Sequence, residues 1–260
     1  MAPKRRIAFL FVIGSLLAFV ISCLGMPIVP LQHPPRSLSM AVEIQCPHYP
    51  VSGKSPINLH AYIGGTSDAE RLKDVKFKWS ASDGSILSGQ GTRTIGLTPA
   101  QMNGTSRIDV NLEVEGGPPE LTFTTACALI VNPQCSSAPV IDQYSVISLD
   151  EERKHLDQFA ERLKTGPAQS IAYIVSYAGA RACINESDWR AKRAQKYLVE
   201  NYSIPRSRVV TVEGGFKENW TVELFVQDSG DCGPLPKPTL INTQAEVVVQ
   251  GFCDPKNPLP

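Results

Sequence analysis

The sequence predicts an α+β chain. An all-β sandwich over residues 41–133 is followed by a β-α-β-α-β-β unit over residues 134–230. Three observations carry this prediction. Period-two alternation runs through Val75-Lys76-Phe77-Lys78-Trp79 and Ile108-Asp109-Val110-Asn111-Leu112-Glu113-Val114, the pattern of strands with one buried face. Turn residues at Gly64-Gly65, Asp83-Gly84, Gly89-Gln90-Gly91 and Gly116-Gly117-Pro118-Pro119 cut this region into short strands. After Asn132-Pro133 the period changes, and Leu156, Phe159, Ala160 and Leu163 recur at helical spacing.

The chain begins with Lys4, Arg5 and Arg6, then an uncharged, mostly apolar run from Ile7 to Ser22. That run is near the lower limit for a spanning helix, so it reads as an export signal over residues 1–22. It ends in Val20-Ile21-Ser22-Cys23, which resembles a bacterial lipobox and implies lipidation of Cys23. The competing reading is a plain signal peptide whose apolar run ends beside a cysteine. Residues 23–40 read as a tether, because Pro27 to Arg36 holds four prolines and no periodicity.

In the first folded region Ile57, Leu59, Ala61 and Ile63 alternate as a strand, and Leu121 to Val131 is a further β-rich run. Trp79 closes an alternating run, which assigns it to core packing. Cys46 and Cys127 lie near the two ends of the region. A bridge between them would close a loop of about eighty residues, worth about 4 kcal/mol in the chain-entropy model. Trp79-Ser80-Ala81-Ser82-Asp83-Gly84 followed by Gly89-Gln90-Gly91-Thr92 resembles PKD-type and other immunoglobulin-like domains of bacterial surface proteins. The resemblance implies an immunoglobulin-like sandwich that acts as a spacer or contacts protein or carbohydrate.

In the second region Tyr144 to Ile147 reads as a short strand. Ser148 stands three before Glu151, a capping box that opens the first helix. Gly166-Pro167 ends that helix, and Ser170 to Tyr177 reads as a buried strand. Asn185 or Ser187 caps a second helix with Ala191, Ala194, Leu198 and Tyr202 on its apolar face, and Ile204-Pro205 stops it. Arg208 to Val212 is a strand, Gly214-Gly215 a turn, and Thr221 to Gln227 the last strand. Residues 231–260 form a proline-rich tail with one β-like run at Ala245 to Val249, suited to adding an edge strand.

That order, with Arg193-Ala194 in the second helix, Tyr202-Ser203-Ile204-Pro205-Arg206-Ser207-Arg208 after it and Val222-Glu223-Leu224 in the last strand, resembles the OmpA-like peptidoglycan-associating domain. The resemblance spans roughly Val140 to Asp228. It implies a site for the diaminopimelate group of a peptidoglycan stem peptide, in which an aspartate accepts from the ammonium and an arginine grips the carboxylate. Arg193 matches the arginine. Ala178 stands where the aspartate belongs, in Tyr177-Ala178-Gly179-Ala180-Arg181. Glu186 stands in place of the family's asparagine, and Trp189-Arg190 in place of its Leu-Ser. Candidate ligand-binding residues are therefore Arg193, Glu186 and Arg181, with Asp188 a second acid able to replace the missing one. The competing reading makes Arg193 a solvated helix charge beside Arg190, Lys192 and Lys196.

Lys plus Arg and Asp plus Glu each number 25, so the chain lacks the basic excess of a bulk nucleic-acid binder. Seven cysteines, none in a CxxC pair, point to disulfides in an oxidising compartment rather than to zinc. Without Cys23 six remain: Cys46, Cys127, Cys135, Cys183, Cys232 and Cys253. The preferred pairing joins Cys183 to Cys232 and leaves Cys135 for Cys253, one of fifteen possibilities. His33, His48, His60 and His155 form no HExxH, and no GxSxG or P-loop is present, so no catalytic motif, metal site or cofactor is implied. Asn103, Asn185 and Asn219 open Asn-x-Ser/Thr triplets, taken as chance matches in a bacterial-looking chain.

The expectation is a non-enzymatic exported envelope protein, in the periplasm or at the outer membrane. A lipid anchor would hold it to the membrane, and the OmpA-like unit would associate with peptidoglycan. The alternative is a structural or interaction protein with a degenerate ligand site, contacting another envelope protein or a glycan through the β-sandwich.

Overall fold

Alternating side chains build the first half of the molecule. A computed structural model describes residues 41–64, 75–100, 103–116, 123–240 and 248–252. The expected export signal, Cys23, the expected tether and Cys253 lie outside them. One four-stranded sheet has the order β1-β3-β6-β5, formed by Ala41–Gln45, Ile57–Gly64, Thr94–Thr98 and Ser85–Ser88. A second has the order β2-β8-β7-β4, formed by Val51–Ser52, Phe123–Asn132, Ser106–Glu115 and Lys76–Ala81. The inward sets of both sheets share one core: Ile57, Leu59 and Ile95 from the first, Ile108, Leu112 and Leu129 from the second. Trp79 is buried there and its indole Nε1 donates to the Thr92 carbonyl at 2.8 Å. Gln90 bonds the amide and carbonyl of Trp79, both at 2.9 Å, which ties the Gly89-Gln90-Gly91 turn to that strand. Cys46 and Cys127 are bridged.

The second half is organised by a sheet of order β10-β14-β11-β13, formed by Val140–Ser145, Thr221–Gln227, Ile171–Ala178 and Val209–Phe216. β13 runs parallel to β11, and the other pairings are antiparallel. Helix α1 (Leu149–Thr165) starts at Ser148, whose side chain accepts from the Glu151 amide while Glu151 reaches back to the Ser148 amide. Leu156, Phe159, Ala160 and Leu163 form its buried face. Helix α2 (Glu186–Tyr202) buries Ala191, Ala194 and Leu198. Both helices cover one face of the sheet through Ile174, Val222 and Leu224.

The opposite face carries Tyr173, Val175, Tyr177 and Phe225, and it packs against Tyr49 of the sandwich. The Tyr49 and Tyr173 rings meet edge-on at 4.9 Å, and the Tyr49 hydroxyl donates to the Pro234 carbonyl at 2.8 Å. Tyr62 and Phe216 form a second aromatic contact at 5.8 Å. The Gln45 side chain donates to the Glu213 carbonyl. These contacts join the two halves into a single unit.

The expected α+β chain, an immunoglobulin-like sandwich followed by a six-element OmpA-like unit, needs correction. Strands dominate the described residues, only two α-helices occur among them, and the strands fall into several sheets. Three strands, β9 (Ser136–Ser137), β12 (Arg181–Ile184) and β15 (Asp231–Cys232), were not anticipated in the second half, whereas the tail run expected to add an edge strand does so a few residues on, as β16 (Val248–Phe252). β9 pairs in parallel with β15, and β12 pairs in parallel with β16. Each finds its partner about seventy to a hundred residues away, so no hairpin signal marks it. Gly214-Gly215 is part of β13 rather than a turn. A Cβ on Gly214 would stand 2.6 Å from the Tyr177 ring, and Gly215 has φ +89°. The preferred Cys183–Cys232 bridge is also corrected. Cys232 pairs with Cys135, because β9 and β15 bring their Cα atoms to 5.5 Å, and Cys183 is in a disulfide of its own.

His60 lies on the sandwich face turned toward the second half, beside Gln45 in register. Burial pushes its imidazole from 6.5 down to about 4. Between those values the unfolded chain holds a proton that the folded chain does not, so stability falls as pH drops through that window. The full effect corresponds to about 3 kcal/mol. Urea midpoints at pH 7 and pH 4.5 should differ less in His60→Gln than in the wild type. An unchanged difference would contradict the assignment. The Cys46–Cys127 bridge spans 81 residues of sequence, which the chain-entropy model values at about 4.5 kcal/mol. The double change Cys46→Ser with Cys127→Ser should lower unfolding free energy by several kcal/mol in denaturant titration.

Candidate functional site

Helix α2 carries two of the three residues singled out for ligand binding, and its N-terminal turns decide what they touch. Glu186 is its first residue, where a carboxylate is favoured by the helix dipole. Arg190 follows at i+4, the spacing at which an acid before a base can pair. Arg190 Nη2 and Nε donate to Glu186 Oε1 at 2.7 and 3.1 Å. Gly179 N donates to Glu186 Oε2 at 3.1 Å. Only 3% of the Arg190 side chain and 2% of Glu186 are exposed. The Arg190 guanidinium lies 3.7 Å from the Trp220 ring centroid, a close cation–π contact. Burial pulls its pKa down, and the Glu186 hydrogen bonds and charge oppose that.

Arg193 turns the other way. Its Nη2 donates to Glu152 Oε2 of α1 at 2.5 Å, and its guanidinium lies 4.4 Å from the Trp189 ring centroid. The Tyr144 hydroxyl donates to Glu152 Oε1 at 3.1 Å. Burial, then the Glu152 charge, raises the Tyr144 pKa well above its ordinary value, so the phenol stays a donor. Glu152 is 4% exposed at its side chain and Arg193 25%. Arg193 Nε is buried without a hydrogen-bond partner. The exposed part of Arg193 borders a groove of about 230 Å³ between the helices, with Glu152, Arg153, Lys196 and Tyr197.

Ala178, at the position of the missing acid, is buried, and its carbonyl accepts from the Lys217 amide at 2.9 Å. Arg181 opens β12 with its side chain exposed. Among the described residues, no hydrogen bond or ion pair joins Arg193 to Glu186 or Arg181. Asp188 pairs with Lys192 at 2.8 Å on another side of the helix. The arrangement is two acid–base pairs, each closed on itself, rather than an acid and a base held apart for a zwitterion. Among the described residues no group of three or more His, Cys, Asp or Glu side chains is placed to hold a metal ion.

Sequence reasoning missed Glu152 and misplaced Arg190 among the solvated charges. A signal for both was present. Glu152 stands four before Leu156 on the apolar stripe of α1, and Arg190 stands four before Ala194 on that of α2. A charge inside an apolar stripe requires a buried partner.

Removing one member of a buried pair strands the other charge, at a cost of about 3–5 kcal/mol. Glu186→Leu should destabilise by that order in urea denaturation. The double variant Glu186→Leu with Arg190→Met should recover most of the loss. Equal losses in both would show that the charge pairing is not the source.

No known family model matches the chain, and no curated protein matches it. One solved structure resembles it, a putative alpha-galactosidase/melibiase from Bacteroides fragilis, at 12% identity and a TM-score of 0.25. The likeness covers 70% of this chain and 38% of that one, and at this level it carries no argument about fold or activity.

Proposed function

We propose that the protein is a non-enzymatic envelope protein that works by contacting a macromolecular partner, with its diaminopimelate-type site lost. The disulfides are consistent with an exported protein. No helix among the described residues is long and apolar enough to cross a membrane. The finer location, periplasm or outer membrane with a lipid on Cys23, rests on the N-terminal sequence. The observation that carries the loss of the site is the partner of Arg193: its carboxylate is Glu152 of the same chain, at 2.5 Å. A stem-peptide carboxylate would have to displace that buried pair, and Ala178 offers nothing to an incoming ammonium. The sandwich is the surface left for a protein or glycan partner.

The test is sedimentation with purified peptidoglycan, comparing the wild type with Arg193→Ala. The expected result is no retention of either above a non-binding control protein. Retention of the wild type that Arg193→Ala abolishes would overturn this reading and restore peptidoglycan as the ligand.

A further inference from the structure

A cleft of about 340 Å³ lies between the outer face of the first sandwich sheet and the corner made by β13 and α2. This is within the range of about 300–1,000 Å³ usual for ligand sites. Glu43, Asp188 and Glu213 line it, and no lysine or arginine does. Asp188 shares its charge with Lys192. Neither Glu43 nor Glu213 has an ion-pair partner among the described residues. The protein packed around Glu213, then repulsion from Asp188 and Glu43, raises its pKa, with Lys192 acting in the opposite sense.

A second observation is independent of these carboxylates. Gln45 Oε1 and His60 Nε2 are buried polar atoms without a partner, and both side chains line the cleft. His60 is only 8% exposed, and its Nδ1 lies 2.8 Å from Thr94 Oγ1. With Nδ1 donating to Thr94, Nε2 offers a lone pair. An acceptor on a glutamine, a lone pair on an imidazole and two unpaired carboxylates all call for a ligand rich in N–H donors and positive charge.

We propose that this cleft receives a lysine- or arginine-type side chain of a peptide partner. The carboxylates do not converge to hold a metal ion. Val210, Val212, Leu235 and Pro236 give the cleft apolar walls, which suit the methylene stem of such a side chain. The site shares neither Arg193 nor Glu152, so it stands or falls separately from the peptidoglycan result.

The experiment is an NMR titration of the isotope-labelled protein at constant ionic strength. The probes are end-blocked Ala-Lys-Ala, Ala-Arg-Ala and Ala-Gln-Ala, with putrescine as a cation lacking a peptide. The basic peptides should shift the backbone signals of Gln45, His60 and Glu213, and the glutamine peptide should not. Glu213→Gln and Glu43→Gln should each weaken binding about fivefold while leaving the melting temperature unchanged. Putrescine binding as tightly as the peptides would overturn the peptide assignment. Absence of shifts, equal shifts with the glutamine peptide, or unchanged affinity in both variants would overturn the site.

Discussion

A sheet that is apolar on both faces must find two covers, and the rest of the molecule follows from that requirement. β11 and β14 are buried along nearly their whole length, Ala172 to Ala178 and Val222 to Val226. Such strands read as continuous apolar runs rather than as alternations. The helices supply one cover. The other comes from outside the unit, with Tyr49 of the sandwich set against Tyr173, Tyr177 and Phe225. The chain therefore cannot behave as two beads on a string. Hiding the second face fixes the sandwich against β13, and the acid-lined cleft is the gap left where that fit is incomplete.

The buried charges follow a similar logic. Arg190 and Glu186 are out of water together, as are Glu152 and most of Arg193. Pairs of this kind contribute little net stability, because desolvation offsets their attraction. The Arg193–Glu152 pair does restrict which arrangement is tolerated, since a shift of α1 against α2 would strand its charges, whereas Glu186 and Arg190 sit together on α2. Trp220, just before β14, presents its ring face to the Arg190 guanidinium, and Trp189, on α2 itself, presents its own to Arg193. The helix pair is thereby held in one register, at the expense of the open acid–base spacing a zwitterionic ligand requires.

The elements most legible in the sequence are those whose cause is local. Ser148 and Glu151 announce α1, its stripe announces the buried face, and the alternation at Ile108 to Val114 announces β7. What could not be read depends on distant partners. Cys135 meets Cys232 because two-residue strands pair in parallel across 97 residues, and nothing near either cysteine encodes that. β12 exists only because the tail returns to it. The candidate site was half legible. Arg193 is where the spacing put it, yet its partner sits on another helix, and a charge within an apolar stripe was read as solvated because neighbouring residues are charged.

The two bridges also decide how the chain transmits force. Tension applied between the segments before Cys46 and after Cys232 would pass from Cys46 to Cys127 and from Cys135 to Cys232 through sulfur–sulfur bonds. The backbone inside those two loops is bypassed, about 280 Å and about 330 Å of extensible contour. The helices and the doubly covered sheet lie within the second loop. Under load the molecule would act as a short, nearly inextensible link, and its folded surfaces would stay presented while it is pulled.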